Sequence, residues 1–245
     1  MTATAHAPFR TVSFAAPNGG VWGAAIEGGL RCVAFGAPAG TLSAIGPESI
    51  DWIEEEDQWQ LAGEGFELLI SPAAAGCSAD GTAVHQLCHV RGHVSLDGAE
   101  QTVDCPGGRS TTDRALEIQR VDSVRSVSAW FEGEQGLTLL AVRPHGAPGH
   151  ERDLLSAAVF EGGSCIPVSD PRLSTTYASD GLPARASLEL WLGESETQQL
   201  RRAAGEALGP FASALADGLQ LRAQPFRWPS KAPEGHGVYL LVRIG

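Results

Sequence analysis

The chain has 245 residues and a formal net charge of −12, and its 17 basic residues are sixteen arginines and the single lysine Lys231. A bulk-acidic chain with no basic stripe is a poor binder of nucleic acid or anionic membrane, and its longest apolar runs, such as Gly237–Ile244, are too short to span a bilayer. With 30 glycines and 15 prolines it is richly punctuated, and it is long enough for one large or two small domains with a real core. In chain order, Met1–Phe14 lacks the basic start and apolar stretch of a signal peptide. The five cysteines (32, 77, 88, 105 and 165) therefore read as free thiols of a cytoplasmic protein, with no functional disulfide. Turn signals follow at Asn18–Gly20, Gly28-Gly29, Gly63–Gly65, Asp80-Gly81, Asp97-Gly98, Pro106–Gly108, Gly133–Gly136, Pro144–Gly149, Gly162-Gly163, Asp180-Gly181 and Glu234–Gly237. Spacings of roughly ten to twenty residues between them predict an all-β barrel or sandwich. Alternating strands are expected at Phe66–Ile70, His85–Leu96, Ser123–Phe131, Leu137–Val142, Ala186–Leu192, Leu219–Ala223 and Val238–Val242. Asp97-Gly98 is the firmest hairpin turn, linking the strands of Val90–Val103.

Two segments have helical character. Ser195–Gln198 has capping-box spacing ahead of Leu200, Ala203, Ala204, Ala207 and Leu208, and His150–Val159 is rich in alanine and leucine. The glycine- and proline-bearing stretch Pro106–Ser110 divides the chain into β halves of 1–105 and 106–245.

The standard catalytic motifs are missing. Lys231 stands between Ser230 and Ala232, outside any phosphate-binding loop, and no Gly-x-Ser-x-Gly elbow, His-Glu-x-x-His helix or Cys-x-x-Cys pair occurs. His85, His89 and His93 lie at steps of four, about 13 Å apart in a strand, too far to share one zinc ion. No metal and no organic cofactor is expected, and EDTA should leave the protein unchanged. Glu54–Asp57 between Trp52 and Trp59 reads as a solvated loop. Asp113–Arg125 is more informative, because its charges interleave with apolar residues. As a strand it would place Arg120 and Asp122 on one face with Leu116, Ile118 and Val124, a setting that shifts pKa values.

Leu87–Val94 with Asp97-Gly98, Cys105–Arg109, Arg125–Trp130 and Arg143-Pro144 resemble a bacterial lipocalin-like family distantly similar to carotenoid hydratase (hydroxyneurosporene synthase). Arg172–Tyr177, Asp180-Gly181, Arg185–Trp191, Arg201–Glu206, Phe226–Trp228 and Gly237–Tyr239 carry the resemblance further, and it covers roughly residues 60–245. Where relatives continue into His-x-Trp-Gly, this chain has Ser110–Asp113, so no site transfers intact. The resemblance implies a lipocalin-like (calycin-type) barrel or sandwich of two packed β halves with few short helices, and an extended Arg201–Glu206 against the capping-box reading.

Such a fold is expected to enclose an elongated apolar cavity for a hydrophobic small molecule. The resulting expectation is a cyclase, isomerase or hydratase without metal or cofactor, acting on a polyene, isoprenoid or polyketide-like compound of secondary metabolism. The alternative is a non-catalytic carrier of the same ligand, and a third class is a partner-binding β module. Protonation by a buried acid with cation–π support, and a pericyclic reaction guided by shape, are equally open. The expected acids are Asp122, Glu117 and Glu189, with Arg120 or Arg125 as charge partner. Trp130, Tyr177, Arg185, Trp191 and Trp228 complete the expected binding wall, with Arg185, Ser187, Glu189 and Trp191 on one strand face.

Overall fold

The computed structural model describes residues 8–112, 120–133, 135–149, 152–193, 198–216, 218–230 and 234–245. Nine strands form a first sheet: β1 (Phe9–Ala15), β2 (Trp22–Glu27), β3 (Arg31–Ala37), β4 (Gly40–Ile45), β5 (Ile50–Glu55), β6 (Gln58–Gly63), β7 (Phe66–Pro72), β8 (Ala83–Leu96) and β9 (Ala99–Thr112). Nine more form a second: β10 (Val121–Phe131), β11 (Gln135–Pro144), β12 (Leu154–Glu161), β13 (Ser164–Tyr177), β14 (Pro183–Leu192), β15 (Gln199–Ala207), β16 (Ala212–Ala216), β17 (Leu219–Trp228) and β18 (Gly235–Ile244).

All sequence-adjacent pairings are antiparallel. The first sheet runs β4-β3-β2-β1-β9-β8-β7-β6-β5, and the second β15-β14-β13-β12-β11-β10-β18-β17-β16. β15 also pairs with β17 through Glu206↔Arg227 and Ala207↔Phe226, which closes the second sheet into a barrel. The first nearly closes: Arg31 Nη1 on β3 donates to the Ile50 carbonyl of β5 at 3.1 Å. This is an all-β, lipocalin-like fold of two β halves. Every strand expected above lies inside a strand, and Asp97 (φ 50°) and Gly98 (φ 81°) make the hairpin turn between β8 and β9.

Alternation gives each strand two jobs. Phe14, Phe35, Trp59, Leu68 and Val90 fill the first barrel, and Val127, Leu139, Leu188, Phe226 and Tyr239 fill the second. Side chains of the opposite parity, including Phe9, Trp22, Ile26, Leu87, Trp130, Phe160 and Leu240, meet between the two sheets in a third buried layer. Among the described residues, the inward-facing side chains of each barrel pack against one another where the elongated cavity was expected. Among the described residues, no helix is long and apolar enough to cross a membrane.

The helical reading of His150–Val159 is corrected, since Leu154–Glu161 is β12, and the two readings of 195–208 resolve to the extended one, since Gln199–Ala207 is β15; residues 194–197 and 150–151 lie outside the described residues. Ring closure decides both, because β15 must bridge β14 and β17, and β12 must bridge β11 and β13. Ladder pairing outweighs the helix propensity of alanine and leucine.

The five-thiol expectation is also corrected. Cys77, before β8, is disulfide-bonded to Cys165 on β13, and Cys32, Cys88 and Cys105 are buried free thiols. Sequence spacing could not bring Cys77 and Cys165 together, since they are 88 residues apart and on different sheets. Disulfides persist in oxidising surroundings, the opposite of the cytosolic thiol chemistry expected above.

Candidate functional site between the barrels

The layer between the sheets is mainly apolar; it holds the buried hydroxyls of Thr11, Ser13, Ser126 and Ser128 and, among the described residues, a polar group built around a histidine. His85 on β8 is 1% exposed. The Asp97-Gly98 hairpin registers it opposite Ser110 of β9, which in turn faces Thr11 of β1. Ser110 Oγ lies 2.8 Å from His85 Nδ1. From the second sheet, Ser156 Oγ of β12 lies 2.7 Å from Nε2, and Thr138 Oγ1 of β11 lies 3.3 Å from Nδ1. Each ring nitrogen faces a hydroxyl able to donate or accept, so either neutral tautomer is satisfied. Burial drives the imidazole pKa down to about 4 and keeps the ring uncharged at neutral pH.

Trp130 of β10 forms the wall beside this group. It is fully buried and stacks on Phe160, with ring centroids 5.7 Å apart. A Cβ built on Gly108 would meet Thr138 Cγ2 at 2.4 Å and Trp130 Cη2 at 3.1 Å, so glycine lets the tryptophan, the threonine and β9 close together. The Trp130 Nε1–H is buried without a hydrogen-bond partner, an unspent donor where tryptophan usually finds one. The disulfide borders the site: Cys77 exchanges both backbone hydrogen bonds with His85, at 2.8 Å each. At the opposite end of β1 a cleft of about 110 Å³ opens between the sheets, lined by Gly19, Trp22, Pro210, Phe226 and His236 among others.

A second buried polar group lies inside the second barrel. Arg125 Nη2 and Arg143 Nε both donate to Asp153, the latter at 2.9 Å. The Tyr239 hydroxyl is 2.9 Å from Thr175 Oγ1. Burial alone would push the Arg125 guanidinium down, but the neighbouring Tyr239 and Asp153 more than offset it, so it remains charged. Burial raises the Tyr239 phenol, which therefore stays protonated.

The expected site residues are dispersed. Trp130 lies in the inter-barrel layer. Arg125, Tyr177 and Trp228 face the interior of the second barrel, where Trp228 Nε1 donates to the Ser128 carbonyl at 3.1 Å. Arg125 thus sits on the face of β10 opposite to Val124. Asp122 sits where the register of β10 against β11 shifts, at the rim, where it bonds the His145 ring (2.7 Å) and accepts from Gly146 N (3.1 Å). Arg120 is exposed just before β10. Arg185, Glu189 and Trp191 lie on the outer face of β14, because its even-numbered residues are the ones turned inward, and Glu189 accepts from Arg202 Nε at 3.0 Å. That face does not line a shared pocket with β10. Glu117 lies outside the described residues. Among the described residues, no group of three His, Cys, Asp or Glu side chains is placed to hold a metal ion. His89 and His93 follow His85 along β8 beyond the inter-barrel layer, and His89 pairs with Asp104.

The relay makes a direct prediction. Ser156→Ala leaves His85 Nε2 buried without its hydroxyl and should lower stability by about 1–3 kcal/mol, measured by urea denaturation. A change within 0.5 kcal/mol would mean that the contact carries no weight.

No family model matches the sequence, and no curated protein matches it. Solved structures do match. CghA has 11% identity and a TM-score of 0.57, over 97% of this chain and 88% of its own. Kievitone hydratase from Nectria haematococca has 6% identity and a TM-score of 0.59, over 97% and 89%. A protein assigned as ATTH from Nitrosomonas europaea has 12% identity and a TM-score of 0.52, over 96% and 91%. At these identities the likeness is one of fold: the chain is similar over nearly its whole length to these three proteins in its paired β architecture.

Proposed function

We propose that the chain is a cofactor-independent enzyme of the cyclase, isomerase or hydratase type, acting on a hydrophobic polyene, isoprenoid or polyketide-like small molecule. Its reaction site in this reading is the layer between the barrels, centred on His85. The observation that carries it is the unspent Trp130 Nε1–H buried beside a neutral histidine held by three hydroxyls. A packed core gains nothing from polar groups placed there, whereas a substrate carbonyl or hydroxyl would use them. Trp130 and Phe160 supply the apolar wall and, for a cationic intermediate, a π face. His85 then moves a proton between substrate and the Ser110 or Ser156 hydroxyl. The likeness in fold to a protein named as a hydratase supports this class of reaction. The inward side chains of both barrels pack together where the enzyme and the carrier expectations alike had placed the ligand, so in this reading the substrate enters the layer between the barrels.

The reading requires the layer to widen, since ligand pockets commonly span about 300–1,000 Å³ and the cleft between the sheets holds about 110 Å³. Widening proceeds from that cleft, because the disulfide pins the His85 end. The test incubates the protein with a non-polar metabolite extract in EDTA, without added cofactor, and follows the mixture by mass spectrometry. One component should be converted to an isomer or a hydrate, and His85→Gln should slow that conversion by about 10²–10⁴-fold. No converted component, or conversion by His85→Gln at the wild-type rate, contradicts the proposal.

A further inference from the structure

The interior of the second barrel changes character at one end. Deep inside it is apolar, with Val127, Leu139 and Leu241. Towards the mouth the same inward-facing rows continue into Arg125 on β10, Arg143 on β11, Arg243 on β18 and Arg222 on β17. Ser123 is registered directly between Arg143 and Arg243 on the neighbouring strands. The Arg243 guanidinium lies 5.8 Å over the Tyr177 ring, and Arg222 and Arg243 both approach Gly181. In a chain of net charge −12 with sixteen arginines, four meet at one opening.

Asp153 is the carboxylate found bonded to two of them. Its two oxygens do not use up their donors. Arg125 is 2% exposed, and its Nη1 is buried without a hydrogen-bond partner, as is Arg143 Nη2. Charged donors shielded from water and left unspent are costly, and like charges gathered in low dielectric repel. An anion with acceptor oxygens relieves both. Beside the mouth, Arg222 also lines an open cleft of about 260 Å³ with Leu182, Phe211 and Leu215. Phe211 is 47% and Leu215 77% exposed, leaving apolar surface next to the positive opening.

We infer that the mouth of the second barrel binds the carboxylate of an amphipathic organic acid, taken by the free N–H donors of Arg125 and Arg143, with its apolar body in the Leu182–Leu215 cleft. This site goes beyond the proposed reaction: it lies on the other face of β10 from the His85 layer and does not depend on it. Calorimetric titration with sodium decanoate tests it, with decanol as the uncharged probe. Decanoate should bind saturably with one site per chain, and decanol at least tenfold more weakly. Arg143→Met, nearer the surface than Arg125 and so tolerable to the fold, should weaken decanoate binding by about tenfold, the loss of one charge-assisted contact. Arg243→Ser, which removes a positive charge from the mouth but no contact to the carboxylate, should weaken it by a smaller factor. Arg201→Met, which removes a pair with Glu161 at the other end of the same barrel, should change nothing. Absence of saturable decanoate binding, equal binding of decanol, or wild-type affinity in both mouth variants overturns the inference.

Discussion

Reduction of the Cys77–Cys165 disulfide should lower the melting temperature by roughly 9–18 °C. The bond closes a loop across 88 residues of sequence separation, and the chain-entropy relation for a loop of that size gives about 4.5 kcal/mol. A chain of this length loses about 2–4 °C per kcal/mol. The bond also joins elements of different sheets, so its loss weakens the packing of one barrel on the other as well as loosening each of them. Cys77→Ser should reproduce the shift and abolish any further effect of dithiothreitol. Thiol titration of the denatured, unreduced protein should count three groups, Cys32, Cys88 and Cys105. A count of five, or a melting temperature indifferent to reductant, would remove the disulfide from the account.

Stability should also fall as pH drops through the window set by His85. In the unfolded chain its imidazole takes a proton near pH 6.5, whereas in the folded protein burial holds its pKa at about 4. Between those values the unfolded state binds the extra proton, so stability is fully present above about pH 6.5 and declines towards pH 4. At 1.36 kcal/mol per unit, the full loss is roughly 3 kcal/mol. His85→Gln keeps a polar side chain but cannot titrate, so its stability should be flatter over this window even if it is lower at pH 7. Parallel pH profiles for the two proteins, measured by urea denaturation, would show that His85 is solvated in the native state.

Much of the fold was legible because period-two patterning and turn chemistry act locally. Asp97-Gly98 set its hairpin without help, and all seven expected strands survive. What failed was decided at long range. Whether Gln199–Ala207 coils or extends depends on the partners that barrel closure supplies, and its own alanines favour the helix. Cys77 and Cys165 meet only once two sheets pack.

The site was legible in part. Arg125, Trp130, Tyr177 and Trp228 were expected to line one binding site, but alternation sends Trp130 to one side of β10 and Arg125 to the other. Arg185, Glu189 and Trp191 share a face as expected, and it is the outer one. His85 entered the sequence analysis only as one of three histidines too far apart to share a metal ion. The signal was present, since counting back from the Asp97-Gly98 turn pairs His85 with Ser110 on the same face as Leu87. Thr138 and Ser156 carry no such local mark, because they arrive from the other sheet.

The central claim is that the layer around His85 receives the substrate. Its most direct test is the crystal structure of His85→Gln after incubation with the same non-polar extract. The account predicts an unreacted ligand between β8–β9 and β10–β12, with a polar atom on Trp130 Nε1 and its body against Phe160. A layer packed as in the free protein, with the ligand bound elsewhere, would contradict it.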